Sequence, residues 1–207
     1  MTQGDAQLYV AWTQGDREAG AQLIDRYLSA VTRFFANKAV APSDIEDLVA
    51  TTFERCARSL GSVTHPERFR NYVFGVATNV LRDAIRKRRP TSMGDLEQLS
   101  VRDLSPSPSA VVVDRAEQRL LLHALRAIPI EHQIVLELSV FEQMSRSEIA
   151  EVLGFPAGTV ASRLRRARVL VEQQVEILAE SPELCRSTIH DLEDWAVQIR
   201  QLLDRPS

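Results

Sequence analysis

The chain has 207 residues, with 25 Lys and Arg against 28 Asp and Glu and a formal net charge of −3. That balance excludes a basic nucleic-acid coat or a polybasic membrane binder taken as a whole. At 44% hydrophobic and 26% charged, the composition is that of an ordinary folded chain of one or two domains.

The total conceals segregation. Residues 1–89 hold 13 basic and 10 acidic side chains, 90–113 hold 1 and 3, 114–175 hold 8 of each, and 176–207 hold 3 and 7. Two short stretches, 82–89 and 163–168, each sum to +4. No apolar run reaches the roughly 20 residues that span a bilayer, and no secretory leader pattern opens the chain. The expectation is a cytoplasmic protein without membrane insertion.

In chain order, residues 5–37 read as two helices broken near Gly15 and Asp16. Ser43 or Asp44 caps a third helix that runs to about Leu60, and 67–89 is a fourth, ended by Pro90. The stretch 90–112 contains Ser105-Pro106-Ser107-Pro108-Ser109 and few large apolar side chains, the composition of a flexible linker. Helical periodicity resumes near Val113 and continues to about Ala179, and Pro182 separates a last amphipathic helix over 183–204. With eight Gly and no Asn-Gly or Asp-Gly turn, the pattern predicts an all-α protein.

Chemical motifs are sparse. Cys56 and Cys185 stand far apart, and His65, His123, His132 and His190 are single, so neither a disulfide scaffold nor a metal site is expected. No phosphate-binding glycine loop, nucleophile elbow or zinc-protease motif occurs. No cofactor and no catalytic residue are therefore expected.

Residues 145–168 carry the strongest local signal. Ser145 and Glu148 form a capping box, Ala150 is small where two helices would cross, Gly154 suits a left-handed turn, and Pro156 suits a helix start. Val160 and Leu164 fall on the inner face of the second helix. Thr159, Ser162, Arg163, Arg165, Arg166 and Arg168 are left largely outward, on a helix that fits a DNA major groove. This is a helix–turn–helix with a basic second helix.

The whole arrangement resembles an extracytoplasmic-function sigma factor, the minimal promoter-recognition subunit of bacterial RNA polymerase. The blocks that carry the resemblance are GDREAGAQLIDRYLSAVTRFF, SDIEDLVATTFERCARSL and FRNYVFGVATNVLRDAIRKRR, followed by ALRAIPIEHQIVLELSVFEQMSRSEIAEVLGFPAGTVASRLRRAR. It implies a region 2-like domain over 1–89, a linker over 90–112, a region 4-like domain over 113–175 and an acidic helical extension over 176–207. The implied partners are core RNA polymerase, through its beta-prime clamp helices and beta flap, and promoter DNA. A Ser/Thr kinase or an anti-sigma factor is a further partner of this type of protein.

Residue by residue, the blocks suit those tasks. In 44–60 the 100° step gathers Ile45, Leu48, Val49, Thr52, Phe53, Cys56 and Leu60 on one arc. The opposite face is acidic, and the resemblance assigns polymerase docking to Asp44, Glu46, Asp47, Leu48, Thr51 and Glu54. Helix 67–89 carries Asn71, Tyr72, Asn79, Arg82, Arg86, Lys87 and Arg88. Amides read base edges, aromatics stack on unpaired bases and cations hold phosphate, and the resemblance gives these residues the minus-ten element. Tyr72 and Phe74 are read as core before base platforms. The loop 61–66 is where the family captures a flipped base, and the minus-thirty-five element falls to the outward residues of the helix–turn–helix.

The chain departs from the family at several points. The docking helix usually runs Asp-x-x-Asp-Leu-x-Gln-Glu, and here Ala50 and Thr51 stand at the last two positions. Phosphorylation of Thr51, adding about −1.5 to −2 charges, would restore and exceed the missing acid. Gly75 and Thr78 stand where relatives often carry arginine, and Ala161 where they are often basic. Two other readings stay open on the residues alone: a helix–turn–helix regulator that acts without replacing sigma, and a degenerate sigma that works as an interaction protein.

Overall fold

A computed structural model of the chain describes residues 4–38, 43–88, 100 and 115–190. Helices dominate these residues, and the only strand-like feature among them is an isolated bridge between Ser100 and Pro129. In the N-terminal half α1 spans Asp5–Thr13, α2 Arg17–Ala36, α3 Ser43–Arg58 and α4 Phe69–Arg88, the last entered through a 3-10 turn at Pro66–Arg68. In the C-terminal half α5 spans Ala116–Ala127, α6 Ile130–Val140, α7 Arg146–Leu153, α8 Ala157–Leu178 and α9 Pro182–His190.

The predicted break at Gly15 and Asp16 separates α1 from α2. Asp16 caps α2, its carboxylate accepting from the backbone N–H groups of Glu18 at 3.0 Å and Ala19 at 3.1 Å, so two donors with no intrahelical partner are satisfied. The expected arc of α3 is in place. Val49, Thr52, Phe53 and Cys56 are buried, and Ile45, Leu48 and Leu60 pack at its margin. Thr52 returns its hydroxyl to the Leu48 carbonyl at 2.8 Å, and burial pushes the Cys56 thiol up to about 12.

Phe69, fully buried, stands at the aromatic centre of the N-terminal half. Its ring lies 5.5 Å from Tyr9, 5.8 Å from Tyr27 and 6.1 Å from Tyr72. The reading of Tyr72 and Phe74 as core agrees with this: Phe74 is fully buried and Tyr72 is packed against the cluster. In the C-terminal half Leu121, Ile128, Phe141, Val171 and Val175 form a core of their own. Leu184, Cys185 and Ile189 of α9 close it from outside, so the start of the extension packs on this half; 191–204 lies outside the described residues.

The two helical domains pack on each other. The core around Phe34 and Phe74 continues into Ile130, Ile134, Val135 and Leu138 of α6, Ile149 and Leu153 of α7, and Val160 of α8. Large apolar surfaces on both halves are removed from water only by packing on each other, which composition along the chain does not reveal. Apart from Ser100, the stretch 90–112 lies outside the described residues.

Candidate nucleic-acid and polymerase interfaces

The helix–turn–helix forms as its residues dictate. Ser145 Oγ accepts from the Glu148 N–H at 3.3 Å, and the Glu148 carboxylate accepts from the Ser145 N–H at 2.7 Å. Gly154 ends α7 at φ 70° and ψ 27°, a left-handed conformation in which a side chain would be strained. Pro156 sits at the cap of α8, one residue before the helix proper, and Val160 is fully buried where the two helices cross.

The hydrogen bonds from Ser145 hold the Glu148 carboxyl below the usual carboxylate range. Because the folded value is lowered, the cap stabilises α7 above the ordinary glutamate range near about 4.3, and its contribution is lost as pH falls through the lower folded value. Amide exchange in the first turn of α7 is expected to accelerate over that acid window. Glu148→Ala should already exchange fast at neutral pH and show no acid step.

On α8 the expected outward set divides. Ser162, Arg165, Arg166 and Arg168 are exposed, and Thr159 is half-buried. Arg163 corrects the expectation that it faces outward with them. Its side chain is only 17% exposed, its guanidinium lies 4.2 Å from the centre of the Phe155 ring, and it approaches the Glu131 carboxylate to 3.6 Å. A planar cation stacks on an aromatic face and pairs with a nearby acid in preference to facing water.

On α3 Glu46, Asp47, Ala50 and Glu54 are exposed, and Asp44, Leu48 and Thr51 are half-buried. Two ion pairs shape the charge of this surface. Arg58 binds Glu54 at 2.7 Å one turn away, and Arg55 turns to Asp83 on α4 at 2.8 Å.

The α4 residues are the most altered by the fold. Asn79 and Lys87 are exposed and Arg86 is half-buried, near Asp83 at 3.5 Å; nothing is described of the Arg88 side chain. Asn71 and Arg82, in contrast, are buried. Arg82 holds Glu131 in a two-point grip, Nε at 2.9 Å and Nη2 at 2.7 Å, and Asn71 donates to Glu151 at 3.1 Å. Both carboxylates belong to the C-terminal half.

Further pairs run along the same seam. Arg33 reaches Glu142 at 2.5 Å, Arg70 donates to the carbonyl and carboxylate of Glu142, Arg68 meets Glu151 at 3.1 Å, and buried Lys38 binds buried Glu137. Sequence reasoning missed this set. Its signal is the pattern of α6, IEHQIVLELSV, where Glu131 and Glu137 stand among Ile130, Ile134, Val135, Leu136 and Leu138 and need partners.

Between loop residues Ser62–His65 and α4 lies a cavity of about 330 Å³, lined also by Asn71, Tyr72, Gly75 and Asn79, and closed on one side by Glu151 and Val152 of α7. Among the described residues no cluster of His, Cys, Asp or Glu could hold a metal ion, and no helix is long and apolar enough to cross a membrane.

A helix–turn–helix with exposed arginines, carried on a second helical unit with an acidic outer helix, defines a two-part DNA-binding protein. Residues 23–91 match the family model described as Sigma-70 region 2, and residues 118–171 that described as Sigma-70, region 4. RNA polymerase sigma factor NccH of Alcaligenes xylosoxydans xylosoxydans is 30% identical over 159 residues, covering 75% of this chain and 86% of the relative. ECF RNA polymerase sigma factor SigW of Bacillus subtilis (strain 168) is 25% identical over 174 residues, covering 80% and 93%. The fold is also that of a solved structure, CnrH in complex with the cytosolic domain of CnrY, with a TM-score of 0.63 at 24% identity over 84% of this chain and 99% of that one.

The chain belongs to the extracytoplasmic-function sigma factors of the sigma-70 family. It acts in transcription initiation, through binding to RNA polymerase and to DNA.

Proposed function

We propose that this sigma factor docks on core polymerase through Asp44, Glu46, Asp47, Leu48, Thr51 and Glu54 of α3, and that phosphorylation of Thr51 completes the docking surface. The observation that carries the reading is the state of α3. Its apolar arc is spent on α2 and α4, and its acidic side stays outward while the two halves meet elsewhere. Glu54 is shared with Arg58, which leaves the face short of free negative charge. Thr51 lies between Asp47 and Arg55 at one-turn spacing, and a phosphate there adds charge where the sequence lacks it.

Asn79, Arg86 and Lys87 then serve the minus-ten element together with Asn71, Tyr72, Arg82 and Arg88. Thr159, Ser162, Arg165, Arg166 and Arg168 serve the minus-thirty-five element. A Ser/Thr kinase is the activating partner, and an anti-sigma factor a second regulator by analogy with the CnrH–CnrY complex.

Equilibrium binding of full-length protein to core polymerase tests the docking surface. Thr51→Glu is expected to bind roughly tenfold tighter than Thr51→Ala, about 1.4 kcal/mol. Equal affinities for the two variants would remove the phosphorylation switch, and Asp47→Ala without loss of affinity would remove α3 as the docking helix.

A further inference from the structure

Tyr9 of α1 is buried, and its hydroxyl reaches the loop that follows α3. Tyr9 Oη accepts from the Gly61 N–H at 2.9 Å and from the Val63 N–H at 3.4 Å. The Ser62 N–H between them turns to the Ser59 carbonyl at 3.0 Å. Three successive donors of the loop are thereby taken inside the N-terminal half. Gly61 makes the turn possible, because its φ of 90° lies in the left-handed region where a side chain would be strained.

The ring of the same side chain is keyed to α4, for it packs on Phe69, the first residue of that helix. Tyr9 thus ties together two walls of the 330 Å³ cavity. The loop wall brings Thr64 and His65, both exposed, and the α4 wall brings Asn71, Tyr72 and Asn79. An aromatic face, amides and an imidazole offer what an unpaired base needs, a surface to stack on and partners for its edge.

We propose that Tyr9 is a positioning residue for minus-ten recognition: its hydroxyl holds the loop at the distance from α4 at which the cavity reads one unpaired base. The inference rests on the assignment of Asn71, Tyr72 and Asn79 to minus-ten DNA, and it extends that assignment to α1, which has no part in it.

Tyr9 does not touch the base and acts through the loop backbone. Without the hydroxyl, the Gly61 and Val63 N–H groups lose their acceptor and turn toward water to replace it. Thr64 and His65 then move relative to Asn79. Hydrogen bonds to a base edge weaken steeply with distance and angle. A loop that drifts therefore loses discrimination between bases before the strand is lost, since contacts to phosphate carry no sequence information.

The test uses holoenzyme assembled with the full-length protein, and labelled non-template-strand oligonucleotides carrying each of the four bases at each minus-ten position. Tyr9→Phe keeps the ring on Phe69 and removes only the oxygen. It is expected to flatten base preference at a single position by roughly three- to tenfold, the worth of about one hydrogen bond, and to leave the other positions unchanged. Amide exchange at Gly61 and Val63 should accelerate in the same variant. Tyr27→Phe is the control. The Tyr27 ring also packs on Phe69, but its hydroxyl donates to Asp5, so its loss should leave base preference as it is.

Unchanged preference in Tyr9→Phe overturns the proposal. A uniform loss at every position, or the same loss in Tyr27→Phe, also overturns it, because it marks a role in stability alone. If Tyr9→Phe loses helical circular dichroism, Gly61→Ala decides instead: a side chain at that φ strains the turn from the loop side and meets nothing within 4 Å. The same single-position loss supports the anchor, and unchanged preference overturns it. His65→Ala with Asn79→Ala tests the cavity itself. A loss of preference there without one in Tyr9→Phe overturns the anchor alone. No loss there removes the cavity as the base site, and the anchor falls with it.

Discussion

Glu137→Ala is expected to lower the stability of the packed molecule by about 3–5 kcal/mol, the cost of stripping a buried charge of its partner. The side chain of Lys38 is 0% exposed and that of Glu137 4%. Burial pulls the lysine down from its usual range and pushes the glutamate up, while each one's charge works against the other's displacement. The ammonium also donates to the Phe34 carbonyl at 2.9 Å and sits 3.7 Å from the centre of the Phe34 ring. Asn37 donates to the second Glu137 oxygen at 3.2 Å.

Removing the carboxylate leaves the buried ammonium and the Asn37 amide without the acceptor that binds them directly. Lys38→Met combined with Glu137→Leu removes both charges, and is expected to match the unaltered protein or exceed its stability by about 1–4 kcal/mol. The exposed pair Arg58–Glu54, with side chains 72% and 59% exposed, is the contrast: Glu54→Ala should cost less than about 1 kcal/mol. Urea titration followed by circular dichroism measures all three, and a Glu137→Ala loss as small as that of Glu54→Ala would refute the seam as a buried interface.

The second large effect concerns DNA. Arg165→Ala combined with Arg166→Ala is expected to weaken binding of the minus-thirty-five element by roughly 100-fold, at about 1–3 kcal/mol per base-reading arginine. Both side chains are exposed on α8, and no ion pair with a described residue holds either of them. Arg163→Ala separates sequence logic from structure. By sequence it belongs to the same basic knot. By structure it is engaged with Phe155 and Glu131, so its loss should change the affinity by less than about threefold, a small fraction of one such contact. Gel-shift titration at two salt concentrations checks this, since each lost phosphate contact also flattens the salt dependence. Equal losses for Arg163→Ala and Arg165→Ala would show that Arg163 swings out to the DNA.

Much of the local architecture was legible because its causes are local. The capping box at Ser145 and Glu148, the left-handed Gly154, the helix break at Gly15 and Asp16 and the apolar arc of α3 each depend on residues within a turn or two. The basic second helix followed from the same periodicity. The seam was not legible in this way. Glu131 meets Arg82 from 49 positions away, Glu151 meets Asn71 from 80, Glu137 meets Lys38 from 99 and Glu142 meets Arg33 from 109. Periodicity says that such a side chain faces inward, and is silent about which distant charge waits there.

The opening charge of −3 has the same lesson in it. Read along the chain, it separated into two basic knots, a helix with an acidic outer face and an acidic extension, while helical periodicity, the helix–turn–helix and the blocks of the sigma-factor resemblance pointed to an all-α, DNA-binding sigma factor. The sequence by itself determined the helical class, the Ser145 capping box, the apolar arc of α3 and the family. Only the tertiary structure decided which charges stay available: one member of each basic knot, Arg82 in one and Arg163 in the other, is drawn to the Glu131 carboxylate. Local propensity decides the direction of a side chain relative to its own helix, but an ion pair between helices is chosen by packing, because burying either charge alone costs more than the fold can offset.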